Sequence, residues 1–121
     1  MTSSPTPGYR TVTPRMVVPD PVAAVGFLRA VFGATGDVRL DRPAEVSLGD
    51  STVLVSAAGA RDVFPAFLYI YVDDVDATYE RALAAGAESV EGPLDTPYGD
   101  RRAMVRDAQG NAFQMAQRSV S

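Results

Sequence analysis

The stretch FLYIYVDDVDATYERALAAGA, Phe67 to Ala87, predicts a strand that runs directly into a helix. Its first residues alternate aromatic and aliphatic side chains, a pattern typical of a strand with two different faces. Asp73 or Asp74 is suited to cap the helix, and Gly86 is suited to end it. The helix would bury an apolar stripe formed by Val75, Tyr79, Ala82 and Leu83.

An earlier stretch of the chain follows the same plan. The segment RMVVPD, Arg15 to Asp20, reads as a strand that ends in a helix cap at Asp20, and Gly33 can end that helix. Its apolar stripe would be Val22, Val25, Leu28 and Phe32. The separation between Asp20 and Asp74 nearly equals that between Gly33 and Gly86, which indicates an internal repeat.

Strand-like stretches follow each predicted helix. In the first half they cover residues 37–41, 44–48 and 52–56, and in the second half residues 88–90, 102–106 and 112–116. We therefore predict an α+β fold of two βαβββ modules, residues 9–57 and 66–118. The modules would form a single domain, residues 1–121, in which residues 1–8 are a flexible lead-in.

The composition excludes several kinds of chemistry. The chain has no histidine, cysteine or lysine, so imidazole bases, thiolate nucleophiles and lysine Schiff bases are excluded. A net charge of −4 argues against nucleic acid or an anionic membrane as the main partner. No apolar run is long enough to span a bilayer, and the first residues lack the apolar core of a secretory signal, so we expect a cytoplasmic protein.

The segments VDDVDATYERALAAGA and YGDRRAMVRDAQGNAFQMA resemble the vicinal oxygen chelate superfamily. The most specific part is Tyr98 to Arg101 followed by Asp107 and Gly110, which is similar to the small glyoxalase-like and bleomycin-resistance branch. The resemblance implies that the two modules form a cupped sheet with the helices outside. It also implies a ligand cleft that paired subunits complete, so we expect a homodimer.

Enzymes of that superfamily hold a divalent metal, whose ligand positions fall here on Thr13, residues 52–56, Phe67 and Gln114. Neutral oxygens and a phenyl ring do not replace imidazoles and carboxylates as ligands for such a cation. Glu45 is the one carboxylate expected nearby, and a single carboxylate is a weak site. We therefore expect neither a metal nor another cofactor.

Strand alternation predicts what lines the cleft instead. Phe67, Tyr69 and Tyr71 should share one face, whereas Leu68, Ile70 and Val72 should share the other. The aromatic residues would bind a flat ligand, although alternating aromatics are also common in half-buried strands. The predicted ligand-binding residues are Thr13, Phe67, Tyr69, Tyr71, Tyr98, Arg102 and Gln114.

The loop from Tyr98 to Arg102 has two interpretations. Its arginines would clasp an anionic ligand, or an ion pair between Asp100 and an arginine would pin the loop. The nearby acidic run Asp73, Asp74 and Asp76 is predicted to favour the start of the helix by capping and charge, not to bind a metal.

The leading functional hypothesis is a metal-free protein that sequesters an aromatic or hydrophobic antibiotic-like compound, as bleomycin-resistance proteins do. An alternative is a metal-independent isomerase, cyclase or lyase acting on a natural product, with Glu45, Tyr69, Tyr71 or Asp100 as acid or base. A third is a degenerate glyoxalase-like protein without catalysis, whose pairing is regulatory or structural.

Overall fold

The computed structural model describes residues 8–39, 41–59 and 61–118. The first half contains β1 (Arg15–Val18), α1 (Pro21–Phe32), β2 (Ala44–Leu48) and β3 (Ser51–Ala57). The second half contains β4 (Phe67–Tyr71), α2 (Val75–Ala84), β5 (Glu88–Asp95), β6 (Asp100–Arg106) and β7 (Ala112–Arg118). The predicted α+β class is confirmed.

The two halves have matching sheet topologies. In the first sheet the strand order is β1-β3-β2, and in the second it is β4-β7-β6-β5. The opening strand of each half lies at an edge and pairs in parallel with the last strand of that half. Such a parallel pair needs a crossover, which α1 and α2 provide.

The strand predicted over residues 37–41 is wrong for the part of it that the structure describes. Residues 37–39 and 41 form no strand, and the preceding segment contacts β2 only through a bridge between Thr35 and Ser47. Gly36 has a φ of 131°, and a side chain there would collide with the carbonyl oxygen of Glu45. The chain therefore crosses close over β2 and cannot extend beside it. Residues 1–7 of the predicted lead-in lie outside the described residues.

Both predicted helix caps are present. The carboxylate of Asp20 accepts a hydrogen bond from the backbone N–H of Ala23, and that of Asp74 accepts one from Ala77, each at 3.1 Å. Two glutamines of the second half bind the starts of the helices. The side-chain oxygen of Gln109 accepts a hydrogen bond from the backbone N–H of Asp20, and that of Gln117 accepts one from the backbone N–H of Val75. These bonds satisfy donors that helix starts leave without partners.

One hydrophobic core joins the two halves. The fully buried ring of Phe113 on β7 stacks against Phe27 of α1 at a centroid distance of 5.4 Å, and Phe32 lies 5.6 Å from it. Arg81 of α2 donates to the carbonyl of Val31 at the end of α1. In the described part of the chain, no helix is both long and apolar enough to span a membrane.

Asn111, in the turn between β6 and β7, fixes the start of β4. Its side-chain oxygen accepts from the backbone N–H of Ala66 at 2.9 Å, and its amide nitrogen donates to the carboxylate of Asp107. The carbonyl of Ala66 in turn accepts from the N–H of Ala112. Because the residue before β4 is bonded on both sides, β4 enters the sheet in one register.

We expect Asn111→Ala to lower the free energy of unfolding by about 1–3 kcal/mol, because it leaves the part-buried backbone N–H of Ala66 without its acceptor and removes the side-chain donor from the buried carboxylate of Asp107. Chemical denaturation measures this loss. Gln114→Ala is the control, since it removes an amide from the neighbouring strand β7 that makes no side-chain hydrogen bond to any other residue that the structure describes. Equal losses in the two variants would contradict the role of Asn111.

Candidate functional site

The two faces of β4 differ in exposure as well as in chemistry. The side chains of Phe67, Tyr69 and Tyr71 are 60%, 41% and 66% exposed. Leu68 and Ile70, which alternate with them, are half-buried against the core. The structure therefore places the three aromatic residues together on the outer side of the second sheet.

The strand register brings further residues to this side. Gln114 of β7 lies opposite Tyr69, and Met104 of β6 lies opposite Gln114. Paired positions in a sheet point their side chains to the same face, so these residues are neighbours. We name the surface formed by Phe67, Tyr69, Tyr71, Met104 and Gln114 the aromatic face.

Two tyrosines of the aromatic face are held in place. The rings of Tyr69 and Tyr71 meet edge to face at a centroid distance of 5.5 Å. The hydroxyl of Tyr69 donates to Oδ2 of Asp100 at 3.3 Å. Burial raises the pKa of Tyr69, and the neighbouring charge of Asp100 raises it further. The phenol therefore stays protonated at neutral pH and acts as a hydrogen-bond donor.

Arg101 is engaged with two other elements. It makes a two-pronged ion pair with Asp76 at 2.8 and 3.0 Å and contacts Asp95 at 3.1 Å. The hydrogen bonds from Arg101 lower the pKa of Asp76. Among the described residues, Asp100 forms no ion pair with Arg101 or Arg102. The prediction that an ion pair of Asp100 holds this loop is therefore wrong. Arg101 pins β6 to α2 and β5 instead.

Arg102 is also occupied within the protein. Its Nε donates to Glu91 at 2.9 Å, and its Nη1 donates to the hydroxyl of Tyr98 at 2.8 Å. The structure therefore brings Tyr98 and Arg102 together at the β6 side of the aromatic face. With its charge matched by Glu91, Arg102 positions the Tyr98 ring and is not poised to clasp an anion.

Two of the predicted site residues lie in the other half of the chain. Thr13 precedes β1, and its hydroxyl donates to the carbonyl of Arg10 at 3.3 Å. Glu45 is exposed on β2, where its hydrogen bond and charge add to burial in raising the pKa of Tyr9. The described chain thus gathers Phe67, Tyr69, Tyr71, Tyr98, Arg102 and Gln114 in the second half and leaves Thr13 and Glu45 in the first.

Residues 10–115 match the model of the Glyoxalase/Bleomycin resistance protein/Dioxygenase superfamily. The chain belongs to that superfamily. Among solved structures it is similar to TioX from Micromonospora sp. ML1, with 28% identity, a TM-score of 0.75, and coverage of 88% of this chain and 97% of that one. A family enzyme from Burkholderia phytofirmans PsJN, 24% identical, shares the fold with a TM-score of 0.75 over 87% of this chain and 95% of that one.

Among curated sequences, an uncharacterized protein of Mycobacterium bovis is 29% identical over 88% of this chain and 82% of that relative. The chain therefore spans most of the length of this relative.

The residues present do not fit the divalent metal of the superfamily's enzymes. Phe67 has no donor atom, the hydroxyl of Thr13 is bonded to a carbonyl, and Gln114 offers only a neutral amide. Thr52 on β3 likewise donates to the carbonyl of Gly8. No three carboxylates converge within the described ranges, and the chain has no histidine or cysteine. Anionic or imidazole ligands, which such a metal requires, are missing from these positions.

Sequence reasoning missed Met104 and Glu91. The alternation of β6, in which Ala103 and Val105 are fully buried, could have placed Arg102 and Met104 on the outer side. Nothing local indicates that Glu91 meets Arg102, because β5 and β6 pair with two register shifts.

We expect Asp100→Asn to lower the pKa of Tyr69 towards the ordinary tyrosine value of about 10, because the nearby negative charge is removed. An NMR titration of ¹³C-labelled tyrosine measures this shift, with Tyr69→Phe assigning the signal. The raised pKa contributes stability below the ordinary pKa, and that contribution is lost as pH rises through the folded-state pKa.

Asp95→Asn is the matched control, because it removes the same charge from a carboxylate that contacts Arg101 and not Tyr69. A Tyr69 titration that is unchanged by Asp100→Asn, or shifted equally by both variants, would show that Asp100 does not act on this phenol.

Proposed function

We propose that this protein binds and sequesters an aromatic or hydrophobic antibiotic-like compound on the aromatic face, without a metal or cofactor. The observation that carries the proposal is the exposure of Phe67, Tyr69 and Tyr71 side by side on one strand. Contiguous exposed aromatic surface on a soluble chain is typical of a binding site. Membership of a superfamily that includes bleomycin-resistance proteins supports the same function.

The chemistry of the aromatic face favours a flat, uncharged ligand. The edge-to-face contact between Tyr69 and Tyr71 limits the ring motion that a ligand would otherwise have to restrict. The amide of Gln114 offers both donors and an acceptor between the rings. The nearby charge of Arg102 is matched by Glu91, so this arginine is not available to attract an anionic ligand.

The same geometry supports binding over acid–base catalysis. The phenol of Tyr69 is held protonated, and its partner Asp100 is already engaged in accepting its hydrogen bond. Glu45, the other candidate base, lies on β2 in the other half of the chain. A general base must lie within hydrogen-bond reach of the atom it acts on. Because Asp100 is already engaged and Glu45 lies on β2, the aromatic face of one chain is better suited to binding than to proton transfer.

We further propose that two copies of the chain pair to complete the binding site. A single sheet face contacts only one side of a flat ligand, whereas binding sites usually bury most of the ligand surface. A second copy related by two-fold symmetry would contribute a second wall.

We expect Tyr69→Ala to weaken binding of phenazine, a flat neutral aromatic, by about 1–3 kcal/mol, the scale of a lost aromatic contact. Binding is followed by NMR from the methyl signal of Met104, which lies on the aromatic face. Bleomycin is tested in parallel as a second probe. Because Tyr69 is 41% exposed, its loss should cost less stability than the loss of a core residue.

Met115→Ala is the control variant, since Met115 lies on the same sheet but is fully buried on the opposite side. It should lower the free energy of unfolding by about 2–5 kcal/mol while leaving phenazine binding nearly intact. If Met115→Ala weakens binding and Tyr69→Ala does not, the aromatic face is not the binding site. Absence of a response to either probe in the unmodified protein would also argue against the proposal.

We expect native mass spectrometry of the dialysed protein to show a species of twice the 12.8 kDa chain mass with no added metal mass. The absence of anionic and imidazole ligands at the matched positions is the reason for the second part. A monomer throughout the micromolar range would contradict pairing. One retained zinc, nickel or iron ion per chain would contradict the metal-free site.

A further inference from the structure

A cavity of about 690 Å³ lies along β4 and is lined by residues of both of its faces. It opens between the turn that joins β2 to β3 and the start of α2, so both halves of the chain contribute to it. Its volume is within the range of sites for small molecules. None of the sequence-predicted site residues except Tyr69 and Tyr71 lines this cavity.

The lining is mainly aliphatic and aromatic. Five large apolar side chains face the cavity, each packed on the core but only partly buried: Phe32, Leu48, Leu68, Ile70 and Val72. Each therefore keeps apolar surface that a ligand can remove from water, which favours binding. An apolar ligand body would gain free energy from all five side chains at once.

The rim of the cavity is acidic. Asp50, Asp73 and Asp74 line it together with one cation, Arg81. The guanidinium of Arg81 already donates to the carbonyl of Val31 and the hydroxyl of Thr78. This arrangement leaves the rim with an excess of negative charge.

The three carboxylates of the rim differ in how they are engaged. Asp50 pairs with Arg10 at 3.4 Å, and Asp74 caps α2. Asp73 is exposed and has no ion pair or side-chain hydrogen bond to any other residue that the structure describes. It is therefore the carboxylate most available to a ligand.

The open edge of β4 adds acceptors beside Asp73. Ala66 and Val72 exchange backbone hydrogen bonds with β7, and alternate residues of a parallel strand bond to the same neighbour. Tyr69 and Tyr71, between them, therefore direct their carbonyl oxygens away from β7, and both residues line the cavity. An ammonium group has three donors, which a carboxylate and strand-edge carbonyls can satisfy together.

We propose that this cavity binds amphipathic cations, molecules with an apolar body and a single amine, with the ammonium group at Asp73. The apolar body contacts the side chains around Ile70, and the positive charge meets the acidic rim. This site borders the aromatic face along β4, where Tyr69 and Tyr71 belong to both, and does not depend on the function proposed for that face.

The sequence provides a natural reporter for each site. Ile70 is the chain's one isoleucine, so its δ1 methyl group gives a single NMR signal from the cavity. The methyl group of Met104, assigned with Met104→Leu, reports on the aromatic face. The probes are 1-naphthylmethylamine, its neutral analogue 1-naphthylmethanol and the anion 1-naphthoate, which share one apolar body and differ in charge.

We expect the amine to shift the Ile70 signal saturably and to bind more tightly than the alcohol by about two- to fivefold, the range for a partly exposed ion pair. Naphthoate should bind more weakly than either. Asp73→Asn should remove the preference for the amine. Asp62→Asn, which removes the same charge from an exposed position that does not line the cavity, should retain it.

Leu48→Trp provides a steric test, because the larger side chain at a half-buried lining position should fill the cavity. It should abolish the response of Ile70 to the amine, while the response of Met104 to phenazine persists and shows that the fold is intact. A response of Met104 alone to the amine would overturn the proposed cavity and leave the aromatic face unaffected. Equal binding of the three probes, no response at Ile70, or a preference that survives Asp73→Asn would overturn it as well.

Discussion

The parallel pairing of β4 with β7 is the constraint on which both candidate surfaces depend. A strand has a side-chain period of two, so a slip of one residue would move every aromatic side chain of β4 to the core and every aliphatic one to solvent. Asn111 and Ala112 bond the N–H and carbonyl of Ala66 respectively, and these bonds exclude the slip at the first residue before the strand. The turn between β6 and β7 is therefore a structural clamp for the aromatic face beside it.

The edge position of β4 explains why two different surfaces lie so close together. A central strand would have neighbours on both sides, and no cavity could reach its backbone. At the edge, the inner side chains of Leu68 and Ile70 are only half covered by the helices, because no strand continues the sheet over them. The same openness exposes Tyr71 on the outer side. One unpaired edge thus leaves an aromatic surface and an apolar cavity next to each other along the five residues of β4.

The sequence pattern predicted the features that interactions between nearby residues determine. The alternation in β4, the caps Asp20 and Asp74 and the repeat of the two halves were all available from the sequence. The prediction of a strand at residues 37–41 was wrong. Charged and apolar residues alternate around Val38 as they do in many strands, but the close approach of Gly36 to the backbone of β2 cannot be predicted from this segment alone.

Contacts between segments that are far apart in the chain could not be predicted from the sequence in the same way. The pairing of Arg101 with Asp76 and of Tyr69 with Asp100 joins elements far apart in the chain. The cavity is less visible still, since Leu48 and Ile70 come from different halves.

The exclusive use of arginine as the cation gives the second half a rigidity that suits binding. A guanidinium fixes its partners in a planar fork, whereas an ammonium group is a point charge that tolerates many geometries. Arg101 joins α2, β5 and β6 in this way, and Arg102 joins β5 to the ring of Tyr98. These ion pairs and hydrogen bonds therefore hold the sheet that carries the aromatic face in place without a ligand. Because these arginines are paired with carboxylates, that rigidity is gained without adding net charge to the aromatic face, and ligand selection there falls to ring stacking and to the polar groups of Tyr69 and Gln114.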